Sequence, residues 1–487
     1  MRYILSEEYA LRGWEDRLGG VYSSKKKEVL FLNKEKYLLL MQCDGGHDIS
    51  LEELSEAQKD ALMELLRENV IRTAGFMEFL KPWQQHRIYP AEYKESVHWS
   101  ITGACNLKCR HCFMSAPDVK HGVPTHEQIL KIADSLVECG IFHAELTGGE
   151  PLIRSDFLDI VTALSDRNIT IPAIYTNGWL VDETLLDELE KRGQHPSFQL
   201  SYDGVGMHDW LRGVPGAEER TIKALKLLQD RKYNTSVSMC IHRKNRDTLR
   251  DSVKLMASYG VRSMKAGSMM QLGAWASPEV RNLQLSMQEN LEMIERYIPQ
   301  YFEDNAPLSI MLSGAFMYTP GDDNWDIFYR RECPREKEQQ SPSCGVLLTH
   351  FYIGADGMVA PCMGMCDCGY ASGFPNVYQT PLKEIIGPGS DFNKLCRTTV
   401  GEIRDHNRKC LECKYMDRCT GGCRNDALLK GDSYYAPAEE NCFFFENGWE
   451  ERIIAAVKPA FEAYIRRCPP RESEQNEANK NQVHECP

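Results

Sequence analysis

Cys105-Asn106-Leu107-Lys108-Cys109-Arg110-His111-Cys112 decides how this chain is read. The three thiols follow directly on Val97–Thr102, a stretch that reads as a β-strand. Thiolates crowded on one loop can converge on one metal centre, and they are the usual ligands of iron–sulfur cubes. A cube held only by protein takes four cysteines. Here there are three, with no fourth nearby, so one iron stays open to another ligand. The rival is zinc, which usually shows paired Cys spacing and a fourth Cys or His. His111 would have to serve, wedged between two other ligands.

Working outward, strand and helix patterns alternate. Strands are expected at Val97–Thr102, His143–Thr147, Ile171–Thr176, Ser197–Tyr202, Thr235–Ile241 and Val261–Met264. Helical periodicity lies between them at Thr125–Cys139, Asp156–Arg167, Asp182–Arg192, Glu219–Arg231 and Asp247–Tyr259. A further helix is expected around Leu285–Tyr301. This alternation argues for an α/β fold with a parallel sheet, closed into a partial barrel. A loop after a barrel strand is where such folds place chemistry. The second strand runs into Thr147-Gly148-Gly149-Glu150-Pro151-Leu152, where two glycines allow close backbone approach and Glu150 can accept from an amino group.

The 487 residues carry 57 Lys+Arg and 70 Asp+Glu, a net charge of −13, with 42% hydrophobic residues. These values fit a globular chain of several domains and disfavour nucleic-acid binding. No apolar run spans a bilayer, and the first residues lack the order of a signal peptide, so a cytoplasmic protein off the membrane is expected. The 19 cysteines then point to metal rather than disulfides. Besides the first loop they gather late: Cys344, then Gly357 and Cys362, then Cys410-x2-Cys413-x5-Cys419-x3-Cys423, then Cys442. This region has little amphipathic pattern and is expected to fold around metal. The polar tail at 469–487 is expected to be disordered.

The CxxxCxxC loop and the GGEPL turn resemble the radical SAM superfamily. The resemblance implies a partial (β/α)6 TIM-like barrel over about 93–310. It also implies a 4Fe–4S cluster on Cys105, Cys109 and Cys112, with S-adenosylmethionine (SAM) on the open iron. Gly148, Gly149 and Glu150 would hold the SAM amino group. Asn177 of Thr176-Asn177-Gly178, Ser201 of Ser201-Tyr202-Asp203-Gly204 and Arg212 would line the SAM pocket. The turns around Asn177 and Ser201 are also ordinary turn chemistry. An electron, from a donor such as flavodoxin or ferredoxin, would release a 5′-deoxyadenosyl radical.

The late cysteines resemble the SPASM extension of radical SAM peptide-modifying enzymes, over about 335–450. Two auxiliary 4Fe–4S clusters are implied, three in all. Cys410, Cys413, Cys419 and Cys442 would hold the second, and Cys344, Cys362 and Cys423 the first. The fourth ligand of the first is left between Cys333, Cys366, Cys368 and an open iron. A pair of zinc ribbons is the plainer reading.

Residues 1–85 read as a winged-helix-like domain. A strand is expected at Val29–Asn33, helices at Lys34–Met41, Leu51–Leu54 and Gln58–Ile71, and a linker at 81–95. Ahead of such a core, this domain resembles the recognition element that binds the leader of a ribosomally made precursor peptide. The implied function is peptide maturation, with Cys-to-carbon thioether crosslinks first. Epimerisation, carbon–carbon crosslinking and formylglycine formation are the alternatives. A non-catalytic iron–sulfur scaffold for peptides is a second class. Cys240 is the candidate hydrogen donor, and Trp210, Trp275 and Tyr202 are candidate channel residues.

Overall fold

The computed structural model describes residues 1–268, 272–366, 368, 370–431 and 433–469. The tail beyond Pro469 lies outside the described residues. Among those described, no helix is long and apolar enough to cross a membrane.

Among the described residues, seventeen strands form three sheets. The N-terminal unit holds β1 (Arg2–Leu5), β2 (Tyr9–Trp14), β3 (Arg17–Ser23), β4 (Glu28–Phe31), β5 (Asp44–Asp48), β6 (Ile71–Thr73) and β7 (Arg87–Tyr89). They make one sheet ordered β4-β3-β2-β7 and another ordered β5-β1-β6. Helices α1 (Lys34–Leu40) and α2 (Glu56–Arg67) bury Tyr37, Leu39, Leu62 and Leu65 in this unit's own core. The expected helix at Leu51–Leu54 is a turn. A capping box starts α2, where Ser55 and Gln58 satisfy each other's backbone N–H. The expected linker contains β7, which pairs in parallel with β2.

The large sheet has ten strands, ordered β15-β14-β13-β12-β11-β10-β9-β8-β16-β17. Its first six in sequence are β8 (Ser96–Ser100), β9 (His143–Thr147), β10 (Ala173–Thr176), β11 (Ser197–Ser201), β12 (Thr235–Ile241) and β13 (Ser263–Ser268), all parallel. Between them run α3 (His126–Glu138), α4 (Phe157–Asp166), α5 (Glu183–Lys191), α6 (His208–Arg212), α7 (Ala217–Asp230) and α8 (Leu249–Ser258). After α9 (Met287–Glu303), β14 (Ser309–Leu312) continues the sheet in parallel and β15 (Phe316–Tyr318) turns back. The cysteine-rich region is not a separate body. Its β16 (His350–Ile353) pairs in parallel with β8, and β17 (Val359–Ala360) adds the edge.

Alternation along the strands explains the hollow. On β11 and β12, Phe198, Leu200, Val237 and Met239 are buried under the helices. Gln199, Ser201, Ser238 and Cys240 face the other way and are only half-buried. On the same inner side the Tyr175 hydroxyl donates to Glu145 Oε2 (2.9 Å) and Gln199 Nε2 to Ser238 Oγ (2.8 Å). A lumen lined by polar groups is a chamber rather than a packed core. The helix Trp449–Arg467, absent from the sequence-level reading, closes the outside by packing on α9 and burying Trp449, Ile453 and Val457.

The N-terminal unit docks where the chain enters β9. Trp14 Nε1 donates to Cys139 O (3.2 Å), Tyr22 lies 5.0 Å from Phe142, and His143 Nε2 meets Lys27 O. Arg397 fastens the far side, donating to Glu92 and Asp16.

Arg154 ties the strand ends beneath the cysteine loop. Its guanidinium pairs with Asp156 through both oxygens and donates to the carbonyls of Ile101 and Pro124, each 2.9 Å away. Arg154→Met should therefore cost about 2–4 kcal/mol, since two carbonyls and a carboxylate lose their donor. Chemical denaturation measures this; an unchanged midpoint would mean water replaces the guanidinium.

Candidate active site

The cysteine loop is fixed on two sides by backbone bonds. On one side Gly149 N–H donates to Thr102 O (2.8 Å) and Glu150 N–H to Ala104 O (2.9 Å). A Cβ on Gly148 would stand 2.4 Å from Thr102 O, and one on Gly149 2.2 Å from Ala104 O. Both positions therefore require glycine for this approach. On the other side Lys108 N–H donates to Arg212 O (3.2 Å) and Arg110 N–H to Leu211 O (2.8 Å), so α6 braces the loop.

The three thiols are half-buried and form no disulfide. Burial pushes Cys105 up to about 12 and raises Cys109, so as free thiols they stay protonated. The surroundings nonetheless favour sulfur carrying charge. Leu107 N–H points at Cys105 Sγ (3.4 Å), Ala116 N–H at Cys112 Sγ (3.2 Å), and Arg212 Nη1 lies 3.7 Å from Cys109 Sγ. That donor set fits an iron–sulfur cluster.

Glu150 is wholly buried. Its carboxylate accepts from Thr176 Oγ1 (2.8 Å), Asn177 N (2.7 Å) and Leu152 N (3.1 Å). Burial pushes it up to about 7 despite those bonds. A buried carboxylate balanced near neutrality suits a cationic ligand. Asn177 links this group to the loop, since its Nδ2 donates to Asn106 Oδ1 (2.8 Å) and lies 3.9 Å from Cys105 Sγ.

Ser201 is half-buried at the end of β11, facing the lumen. Asp203, quoted in the sequence reading only as part of its turn, is the more connected group. It is fully buried, accepts from Arg212 Nε (2.7 Å) and from Cys240 N–H (3.1 Å). Burial alone would raise its carboxyl, but the Arg212 guanidinium holds it well below the usual range. Ligand atoms of His111, Asp203 and Cys240 all lie within 4.8 Å of one another. Burial pushes His111 down to about 3 and Cys240 up to about 12, so both are neutral. The signal for Asp203 was present in sequence: a carboxylate two residues past a lumen-facing strand end, with an arginine on the next helix.

Two channel candidates do not line the chamber. Tyr202 and Trp275 are fully buried, and the Tyr202 hydroxyl is spent on Glu218 (2.7 Å). Trp210 stays half-buried between Arg110 and Lys244.

The late cysteines gather in two places. Cys410, Cys413, Cys419 and Cys442 line one pocket, with Met416, Asn441 and Phe445. Cys344, Cys362 and Cys423 form the other group, where burial first, and then the neighbouring Cys423 and Cys344, raise the Cys362 thiol. Arg424 lies beside both groups, buried to 1% exposure. Its guanidinium donates to the carbonyls of Gly421, Gly422, Tyr434 and Ala436. Burial lowers its pKa, while Tyr434, Cys423, Cys410 and Cys419 pull it back up. A buried cation wants an anion, and thiolates of metal clusters supply it. Cys333 belongs to the pocket side, packed with Val400, Ile403, Cys410 and Met416.

Asp203→Ala should leave Arg212 buried without its carboxylate and cost about 3–5 kcal/mol. Asp203→Ala with Arg212→Ala should cost less than the two single changes together. Strictly additive effects in a denaturation cycle would show that the pair is not coupled.

Residues 99–256 match the model of the radical SAM superfamily, and residues 344–420 that of an iron–sulfur cluster-binding domain, SPASM. The chain is 25% identical over 447 residues to the antilisterial bacteriocin subtilosin biosynthesis protein AlbA of Bacillus subtilis, covering 88% of this chain and 91% of that protein. It is also 25% identical to an AdoMet-dependent heme synthase of Nitratidesulfovibrio vulgaris, covering 69% of this chain and 89% of that one. The fold matches Streptococcus suis SuiB bound to its precursor peptide SuiA, with TM-score 0.63 at 15% identity, over 90% of this chain and 99% of that chain. The two domain matches fall on two stretches of one continuous sheet; the first covers Cys105, Cys109 and Cys112, and the second covers Cys344, Cys362, Cys410, Cys413 and Cys419 and ends before Cys423 and Cys442. The chain is a radical SAM enzyme carrying a SPASM domain.

Proposed function

We propose that this enzyme modifies a ribosomally made precursor peptide and that its reaction joins a substrate Cys to a carbon of another residue through a thioether. The observation that carries this reading is the N-terminal unit. It is fixed to the barrel yet keeps β4 as an unpaired sheet edge, with Leu30 and Phe31 half-exposed on it and Leu38 and Met41 exposed on α1. An extended leader peptide can add to such an edge through its backbone. The likeness to AlbA and to SuiB supports it, since each alignment leaves out too little of this chain to miss that unit. The heme synthase relative supports a rival, a porphyrin substrate, but matches only 69% of the chain.

In this reading Cys105, Cys109 and Cys112 hold the SAM cluster. When bound, SAM and its cluster supply a radical able to take hydrogen from an unactivated carbon. Glu150, with Gly148 and Gly149, holds the ammonium group of SAM, and Asn177 keeps Glu150 against the loop. Ser201 would face SAM, and Arg212 would stand near its carboxylate. The SPASM cysteines hold further iron–sulfur clusters, two in number, fed by a small electron-transfer protein. Cys240, half-buried on the inner face of β12, would return a hydrogen atom should the product be an epimer.

Glu150 gives the reading a pH signature. Its carboxyl is held near 7 in the free site, and a bound cation favours its ionised form. SAM affinity of the cluster-loaded enzyme should therefore weaken as pH falls from about 8 to about 6. Glu150→Gln should bind less tightly with a flat pH profile. A parent enzyme with a flat profile would remove Glu150 from the ammonium site.

The peptide assignment is tested by anaerobic co-expression with a precursor peptide encoded beside the gene, followed by tandem mass spectrometry. Loss of a hydrogen pair per modified Cys, with that thiol closed to alkylation, is expected. Unchanged mass with solvent deuterium incorporated would mean epimerisation instead. Cys109→Ala should abolish reductive SAM cleavage; cleavage that persists refutes the cluster assignment.

A further inference from the structure

The first auxiliary group, Cys344, Cys362 and Cys423, is one thiolate short of a protein-closed cube, and no cysteine lies between Cys344 and Cys362. The sequence reading offered Cys333, Cys366 and Cys368. Cys333 packs beside Cys410 instead, and its N–H is tied to Asp417 O (2.9 Å). Cys368 Sγ is spent on Met365 O (3.1 Å), and Cys366 packs with Tyr352 in the cluster that also holds Tyr434 and touches Cys362.

Cys396 ends the short helix Asp391–Cys396 and is 1% exposed. The chain beyond it is pinned to the chain before Cys344: Ser343 N–H donates to Thr398 O (2.9 Å), and Pro342 pairs with Thr399. Cys344 is near enough to Cys396 that its charge acts on the Cys396 thiol.

Two buried polar groups are left unbalanced beside it. The Tyr434 hydroxyl is buried and has no hydrogen-bond partner. It packs in the cluster that Cys362 and Leu395, the neighbour of Cys396, both touch, and after burial the charges of Cys396, Cys344 and Cys362 raise its ionisation well above normal. Lys94 is the second. Its ammonium, 2% exposed, donates to the carbonyls of Leu347 and Leu348, and Cys396 leads the charges that act on it. A buried ammonium held by carbonyls is stabilised by an adjacent anion. A thiol at Cys396 would not supply one; a metal-bound thiolate would, and it would also accept the orphaned Tyr434 hydroxyl.

We propose that Cys396 is the fourth ligand of the first auxiliary cluster, closing the set of Cys344, Cys362 and Cys423. Ligation replaces the S–H bond with an Fe–S bond and releases the proton; no electron changes hands. The cluster is then closed to a substrate thiolate and serves to carry electrons. The proposal rests on the iron–sulfur reading of the SPASM region and not on the peptide reaction.

The test uses the full chain with Cys105, Cys109 and Cys112 changed to Ala, so that only auxiliary clusters load. It is reconstituted anaerobically with ferrous iron and sulfide, reduced, and followed by electron paramagnetic resonance with and without β-mercaptoethanol. The parent spectrum should ignore the added thiol. Cys396→Ala should show altered g values that respond to it, and mild oxidation should yield a 3Fe–4S signal. Cys366→Ala and Cys368→Ala should match the parent. A thiol-sensitive parent, or a change seen with Cys366→Ala or Cys368→Ala and not with Cys396→Ala, overturns the proposal. If Cys396→Ala does not fold, Cys396→Ser decides: a cluster with shifted g values supports ligation, and one with parent values refutes it. A parent that binds no iron would instead refute the iron–sulfur reading itself.

Discussion

Everything near the chamber hangs on the backbone contact between the turn at 148–150 and the loop at 102–104. Those residues approach closely enough that a single Cβ would force them apart. The contact sets where the thiols stand relative to Glu150, because Glu150 N–H is itself one of the bonds. The carboxylate is thus carried to the loop by the same peptide unit that anchors it. Two glycines cost conformational entropy on folding, and the fold recovers that cost by bracing the loop from α6 as well.

Charge balance is the second organising theme. The interior holds Asp203 with Arg212, Arg424 among carbonyls, and Lys94 among carbonyls. Only the first is paired with a carboxylate. Isolated buried charges are expensive, so the other two need partners that carry charge without being acidic residues. Cysteine sulfur fills that role once it binds metal. The cysteines and the buried cations of the SPASM region therefore form one electrostatic unit, and loading metal is part of how that region reaches its low-energy state.

Most of the barrel was legible in sequence. His143–Thr147 and Thr235–Ile241 have the expected bounds, and Val97–Thr102 is shifted by a residue or two. The reason is that each strand is flanked by amphipathic helices of clear period. The cysteine loop and GGEP were legible because their chemistry is dense and local. What escaped notice depends on contacts far apart in sequence. β16 joins β8 across some 250 residues (|i−j| is 253 for Lys94 and Leu347, just before the pairing). β7 is too short to show a pattern and exists because β2 lies beside it. Asp203 is ordinary turn sequence until Arg212 folds over it. The helix Trp449–Arg467 is fixed by its packing on α9, far away in sequence, which buries Trp449, Ile453 and Val457.

The docking of the N-terminal unit at the entrance to β9 carries a geometric consequence. The strands are parallel, so the cysteine loop, which follows the other end of β8, lies a full strand length away. A five-residue strand covers about 17 Å, and an extended chain gains at most about 3.3–3.6 Å per residue. Any substrate held by the N-terminal unit must spend at least five residues or so on the journey before it can react. With a tethered peptide as substrate, the barrel would act as a ruler. The position attacked would be chosen by counting along the tether as much as by the side chain that arrives, and shortening the spacer would move the reaction along the chain or stop it.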